Sequence, residues 1–138
     1  MNAEDIEKFI LDNFEKTKAD HPWKKDPDYT VFRHKDNKKW FALMFYAKKR
    51  QLIKLKPKDT LLNKHKDSEE RVDILNVKVD PEMINDLTKI PGILPAYHMS
   101  RRHWISILVD GSVPEGTLAP LVDMSYEITN GRRYLERE

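Results

Sequence analysis

The nine residues Lys39–Ala47 read Lys-Trp-Phe-Ala-Leu-Met-Phe-Tyr-Ala, and every position after the first is apolar or aromatic. Side chains alternate between the two faces of a strand, so this run is apolar on both. That pattern belongs to a central strand, and it sets the frame for the rest of the chain. Tyr29–His34 alternates and is rich in β-branched and aromatic residues, which predicts a neighbouring strand. The polar link Lys35-Asp-Asn-Lys38 between them has hairpin length. Arg71–Val79 reads as a third substantial strand, with Val72, Ile74 and Asn76 on one face and Leu75, Val77 and Val79 on the other. His103–Val109 is a clear later strand, and Gln51–Lys54 and Tyr97–Met99 read as short ones. Lys48-Lys-Arg50 reads as a turn, and the polar stretch 55–70 as an exposed loop.

Three helices complete the pattern. Residues 3–18 place Ile6, Phe9, Ile10 and Phe14 on one stripe, with Glu4, Asp5 and Glu7 early and Lys16 and Lys18 late, as the helix dipole favours. Asp80-Pro81 is a good helix start, and Met83, Ile84 and Leu87 supply a buried face before Pro91-Gly92. Leu118, Leu121, Val122, Ser125 and Ile128 mark the last helix. A capping box at Ser112 and Glu115 would put Pro120 inside that helix. A start at Thr117 keeps Pro120 in the first turn, at lower cost, and is the preferred reading. Residues 131–138 are expected to fray. The order is α-β(3)-α-β(2)-α in one α+β domain, the size that 138 residues suggest.

Composition narrows the function classes. With no cysteine, disulfides, thiolate chemistry and cysteine-ligated zinc are excluded. No apolar run approaches the roughly 20 residues that span a bilayer, and the acidic N-terminus does not resemble a signal peptide, so a cytoplasmic location is expected. The net charge of +2 conceals segregation. Arg33–Lys66 holds twelve Lys/Arg and two acids, whereas residues 1–32 and 67–138 are both net acidic. Charge divided in this way builds local fields on a nearly neutral molecule.

Two groups of residues are candidate contacts. One is Tyr97–Trp104: Arg101 and Arg102 would meet phosphate, His98 and His103 would add donors, and Tyr97 or Trp104 would stack on a base. The same Tyr97, His98 and Trp104 suit a structural corner between two strands. The other is the basic segment, with Lys38, Lys39, Lys48, Lys49 and Arg50 at adjoining turns and Lys54 and Lys56 beyond them. These lysines also suit a solvated surface that guards sheet edges. His21, His34, His65, His98 and His103 show no metal-site spacing, and no metal or cofactor is expected. Ser125-Tyr126 lies within a helical stripe rather than on a strand–helix elbow, and no glycine-rich phosphate loop is present. Asp73, Asp80 and Asp110 read as strand edge, helix cap and turn, so no enzymatic activity is expected.

The order of several motifs resembles the MmcQ/YjbR family. They are His21-Pro-Trp-Lys-Lys, Val31-Phe-Arg-His-Lys, Lys39-Trp-Phe-Ala, Asp73–Pro81, Pro95-Ala-Tyr-His-Met, His103-Trp-Ile and Ser125-Tyr126. The resemblance covers roughly residues 20–130. It implies a CyaY-like or secretion-chaperone-like domain, in which a twisted antiparallel sheet carries helices on one face. It also implies a double-wing mode of DNA binding through basic hairpins. One departure is Ser100-Arg101-Arg102, where the family often carries Asn before the base. The alternative is a protein-interaction module that uses the open sheet face, as secretion chaperones of similar fold do; a monomer or weak homodimer is expected. A contiguous positive face with both basic turns and Arg101 would favour DNA, and an exposed apolar patch or a symmetric dimer would favour protein.

Overall fold

In a computed structural model, which describes residues 1–130, one six-stranded antiparallel sheet organises the chain. Its strands are β1 (Thr17–Asp20), β2 (Thr30–His34), β3 (Trp40–Lys48), β4 (Arg71–Lys78), β5 (Ile93–Pro95) and β6 (Trp104–Leu108), in the order β1-β2-β3-β4-β6-β5. The doubly apolar run is central, as expected. Helix α1 (Ala3–Asn13) precedes the sheet and α5 (Glu115–Thr129) closes it. Between β3 and β4 lie α2 (Lys49–Leu52), a 3-10 turn (Ile53–Leu55) and α3 (Thr60–Asn63). Asp80 caps a 3-10 turn at Pro81–Met83, which leads into α4 (Ile84–Leu87).

The two faces of the sheet carry different cover. On the first, Phe32, Phe41, Met44, Leu75, Val77, Ile105 and Ile107 pack with Ile6 and Ile10 of α1 and with Leu118, Leu121 and Val122 of α5. On the second, Val31, Leu43, Phe45, Val72 and Ile74 pack beneath Leu52, Leu55 and Leu62. Both long helices thus share one face, while the short helical arm after β3 roofs part of the other. The register slips at β2–β3, where Phe32 faces Ala42 but Arg33 faces Trp40. Phe41 is therefore the extra residue of a bulge, and it joins Ala42 in the first-face core. The bulge's carbonyl is not left unpaired: the Ser125 hydroxyl of α5 donates to Phe41 O at 2.5 Å and accepts from Lys78 N at 2.8 Å. Ser125 is thus more than a small residue on a stripe, for it bolts α5 to two strands.

Several local expectations are corrected. The first helix ends at Asn13 rather than at 18, and Lys16 and Lys18 belong to a turn and to edge strand β1. This strand is short and polar, with only Thr17 buried, so it carries little hydrophobic signal. Lys48–Arg50 does not turn into a strand at Gln51–Lys54, and 55–70 is not an open loop. Leu52, Leu55 and Leu62 are buried at helical spacings among polar residues. Tyr97–Met99 is not a strand; the strand here is Ile93–Pro95. The last helix begins at Glu115, not Thr117, with Pro120 as its sixth residue. Pro120 and Gly116 are both exposed, so water can satisfy the carbonyl that proline leaves unpaired. The Ser112 hydroxyl bonds Asp110 instead of capping that helix. The expectation of fraying at 131–138 lies outside the described residues.

Candidate nucleic-acid interface

Antiparallel pairing divides the loops between two ends of the sheet. At the β2–β3 end, β1, β3 and β6 begin while β2, β4 and β5 finish. This end gathers the 35–39 turn, the 14–16 turn and the 96–103 segment. At the opposite, β3–β4 end lie Lys48–Arg50, Gly92 and Gly111. The expected adjoining of the two basic turns is therefore corrected. They sit at opposite ends of nine-residue β3, some ~27 Å apart at the usual strand rise.

The 35–38 turn is held by its own backbone and by α5. His34 N and Lys38 N bond Lys39 O and His34 O, and Asn37 Nδ2 donates to Thr129 O at 2.8 Å. Lys38 sits in the left-handed region at φ 63°, where a β-carbon is disfavoured. Its side chain joins Lys18, Arg33, His34 and Lys35 around a cleft of ≈ 270 Å³. Arg33 and Lys18 both pair with Asp20, whereas Lys35 and Lys38 pair with no carboxylate among the described residues. Across the sheet, Arg101, Arg102 and His103 are exposed in the turn before β6 and border a groove with Asn85 and Thr88. Neither arginine has an ion-pair partner among the described residues. Lys39 is likewise exposed and unpaired.

His34 is the buried floor of this end. Its ring lies 5.1 Å from Phe41 and 4.6 Å from Tyr126, and Nε2 is 2.8 Å from Thr129 Oγ1. The Thr129 hydroxyl already donates to Ser125 O, so the imidazole is the donor of this pair. Burial holds the ring's pKa below the ordinary histidine value, against the opposing pull of Asp36. It is a structural group that ties β2 to α5.

At the other end Lys48, Lys49 and Arg50 are matched. Lys48 and Arg50 each meet Glu69 at 2.6 Å, and Lys49 meets Glu70 at 3.2 Å. Hydrogen bonds from Lys48 and Arg50 hold the Glu69 carboxyl below the ordinary range. Lys56 donates to Ile90 O and Ile93 O at 3.2 Å and lies near Asp59, so it staples the arm to the loop before β5. Lys54 stands 5.5 Å over the Tyr97 ring. These residues do not form a free basic wing.

The 96–100 segment crosses the second face of the sheet on a polar clamp. Ser106 Oγ donates to Asn76 Oδ1 at 2.5 Å and accepts from Tyr97 N at 2.9 Å, while Asn76 Nδ2 donates to Tyr97 O at 2.9 Å. Asn76 and Ser106 are fully buried, so each is kept there by these bonds. The clamp fixes Tyr97, and His98 follows it at φ 66°, stacked on Tyr97 with ring centres 3.9 Å apart. Tyr97 packs into the second-face core, Trp104 is half-buried opposite Lys78, and His98 and His103 are exposed. Beside His98 lies a cavity of ≈ 410 Å³ walled by Trp23, Tyr29, Trp40, Phe45 and Met99, with Asp26 and Ser100 as polar lining. Trp23 meets Trp40 and Tyr29 edge to face, at 5.7 and 6.0 Å. Among the described residues no three His, Asp or Glu side chains converge on a metal-binding arrangement, and no helix is long and apolar enough to cross a membrane.

Sequence reasoning placed Lys38, Lys39, Arg101 and Arg102 among the contacts but missed Lys18, Arg33 and Lys35 as their neighbours. It also missed Trp23, Tyr29, Trp40 and Met99 as walls of a groove. The available signal was the recurrence of paired bases next to an aromatic or small polar residue, as in Trp23-Lys-Lys, Lys38-Lys-Trp40 and Ser100-Arg-Arg.

A model of the YjbR family matches residues 12–128. The chain belongs to the YjbR family. The uncharacterised protein YyaQ of Bacillus subtilis is 36% identical over 129 residues, covering 94% of this chain and 98% of YyaQ. YjbR of Escherichia coli K12 is 31% identical over 74 residues, 53% of this chain and 62% of its own length. A crystal structure of a Pseudomonas syringae protein, 36% identical, superposes with a TM-score of 0.78 over 94% of this chain and 99% of that one. A Deinococcus radiodurans crystal structure, 23% identical, shares the fold with a TM-score of 0.66 over 99% of this chain and 86% of that one.

Proposed function

We propose that this YjbR-family protein binds nucleic acid across the β2–β3 end of its sheet, without reading sequence through a recognition helix. The observation that carries the reading is the pairing of two clusters of unmatched cations at that one end. Lys35 and Lys38 stand at the finish of β2, and Arg101 and Arg102 at the start of β6. Three strand spacings separate them, ~14 Å, or about four nucleotides at a helical rise of ~3.4 Å. Both clusters lie on turns braced by the sheet, so little ordering is needed for phosphate contact. The acids at the β3–β4 end already occupy Lys48, Lys49 and Arg50, which favours the opposite end as the binding edge. Among the described residues Leu11 is the one large apolar side chain left exposed, and an isolated leucine is a poor protein-docking patch.

Fluorescence anisotropy with a labelled single-stranded oligodeoxynucleotide at several salt concentrations tests this. Four phosphate contacts predict a log–log salt slope of about −3. Replacing Lys35, Lys38, Arg101 and Arg102 together should flatten it, and Lys48→Ala/Lys49→Ala/Arg50→Ala should leave it nearly unchanged. The reverse pattern would return the contacts to the β3–β4 end.

A further inference from the structure

We propose that the aromatic groove on the second sheet face takes a single nucleobase out of the bound strand, so the protein prefers single-stranded nucleic acid to duplex. This rests on the phosphate-binding reading above and adds a second kind of contact to it. The cavity's ≈ 410 Å³ lies within the range of small-molecule sites. Its walls are the rings of Trp23, Tyr29, Trp40, Phe45 and His98, and flat aromatic faces are what an unstacked base pairs with.

Charge divides the base from its phosphates. In three places two consecutive cations adjoin a lining residue in sequence: Lys24 and Lys25 after Trp23, Lys38 and Lys39 before Trp40, Arg101 and Arg102 after Ser100. All six are exposed, and none has an ion-pair partner among the described residues. Inside, the polar lining includes Asp26, a carboxylate without an ion-pair partner among the described residues. A carboxylate repels phosphate but accepts the N–H of an exocyclic base amine. The interior thus favours the ring over the phosphate that carries it.

The wall is also held in place at a conformational cost. The Asn76–Ser106 clamp fixes Tyr97 from both sides, and His98 then takes a left-handed backbone that histidine seldom adopts. A base inside a duplex cannot reach the groove without leaving its stack, whereas a base in a single strand is free to do so. This geometry is the source of the strand preference.

The decisive comparison uses a mixed-sequence single strand and an abasic strand of equal length, which carries the same phosphates and no bases. The base-bearing strand should bind on the order of 10–100-fold more tightly. His98→Gly should cut that ratio severalfold without lowering the unfolding midpoint, because glycine tolerates the left-handed backbone. Equal affinity for the two strands overturns the groove proposal and leaves phosphate binding intact, as does a ratio that His98→Gly does not alter. If neither strand binds at low salt, the phosphate reading fails. The groove is then judged by titrating free adenosine against tryptophan fluorescence. Quenching that His98→Gly weakens supports it, and no quenching overturns it.

Discussion

The two ends of the sheet solve the same backbone problem with different residues. Five described residues have clearly positive φ. At the β3–β4 end they are Gly92 and Gly111, which adopt this conformation at no steric cost. At the β2–β3 end they are Lys16, Lys38 and His98, each with a β-carbon that makes the same conformation unfavourable by roughly 1–2 kcal/mol. The ends also differ in charge. Lys48, Lys49 and Arg50 are matched by Glu69 and Glu70 at one, while Lys35, Lys38, Lys39, Arg101 and Arg102 stand unmatched among the described residues at the other. Strain together with unmatched charge is what the proposed binding edge would carry.

The comparison breaks most readily at Gly92. A β-carbon there would stand 2.6 Å from Ser112 Oγ and 2.7 Å from Val113 Cγ2, on top of the unfavourable φ. Gly92→Ala should therefore lose roughly 3 kcal/mol in urea unfolding. A loss below ~1 kcal/mol would show that this end also tolerates side chains in left-handed positions. Next in size is Asn76→Ala, which leaves the Tyr97 carbonyl and the Ser106 hydroxyl short of partners inside the fold. About 2 kcal/mol should be lost, and the preference for base-bearing strands should fall with it. An intact preference would separate the clamp from the groove.

A smaller effect is the pH response of His34. Burial depresses its folded pKa, so the unfolded chain takes up the proton first and stability rises with pH through this window. Stability should be full above about pH 6.5, the unperturbed histidine pKa, and should decline as pH falls below it. Thermal unfolding between pH 7.5 and 5 checks this, and a decline that persists in His34→Phe would assign it to another group. Smallest is the contrast of Gly111→Ala with Lys38→Gly. Gly111 has open space around it, so its substitution should cost only the backbone term, about 1 kcal/mol. Lys38→Gly should move stability the other way, by up to ~1 kcal/mol, because the removed strain exceeds the added chain entropy.

The parts of this molecule that burial dictates were legible in its sequence. The doubly apolar run at β3, the alternation of β4, the Asp80 cap and the α5 stripe all follow from side-chain spacing, which is local information. Edge strand β1 was not legible, because an edge strand with one buried side chain has almost no hydrophobic period. Nor was the arm, since Leu52, Leu55 and Leu62 are diluted by lysines that prefer solvent. The basic residues could be read as a group, but their division between two ends depends on strand direction, and the matching of three of them by Glu69 and Glu70 depends on a contact 19 to 21 residues away in the chain. The left-handed lysines gave no warning because lysine is not a turn-forming residue. The groove was hidden for a different reason: Trp23, Trp40 and Met99 come from three segments that only the fold brings together.

The most direct test of the β2–β3 end as a binding edge is the salt dependence of single-strand affinity for Lys38→Gly, with its unfolding midpoint measured on the same sample. A side chain kept for contact at a cost in strain predicts a salt slope shallower by about 0.7 alongside an unchanged or raised midpoint. An unchanged slope, or a slope that falls only in the Lys48/Lys49/Arg50 variant, would contradict it.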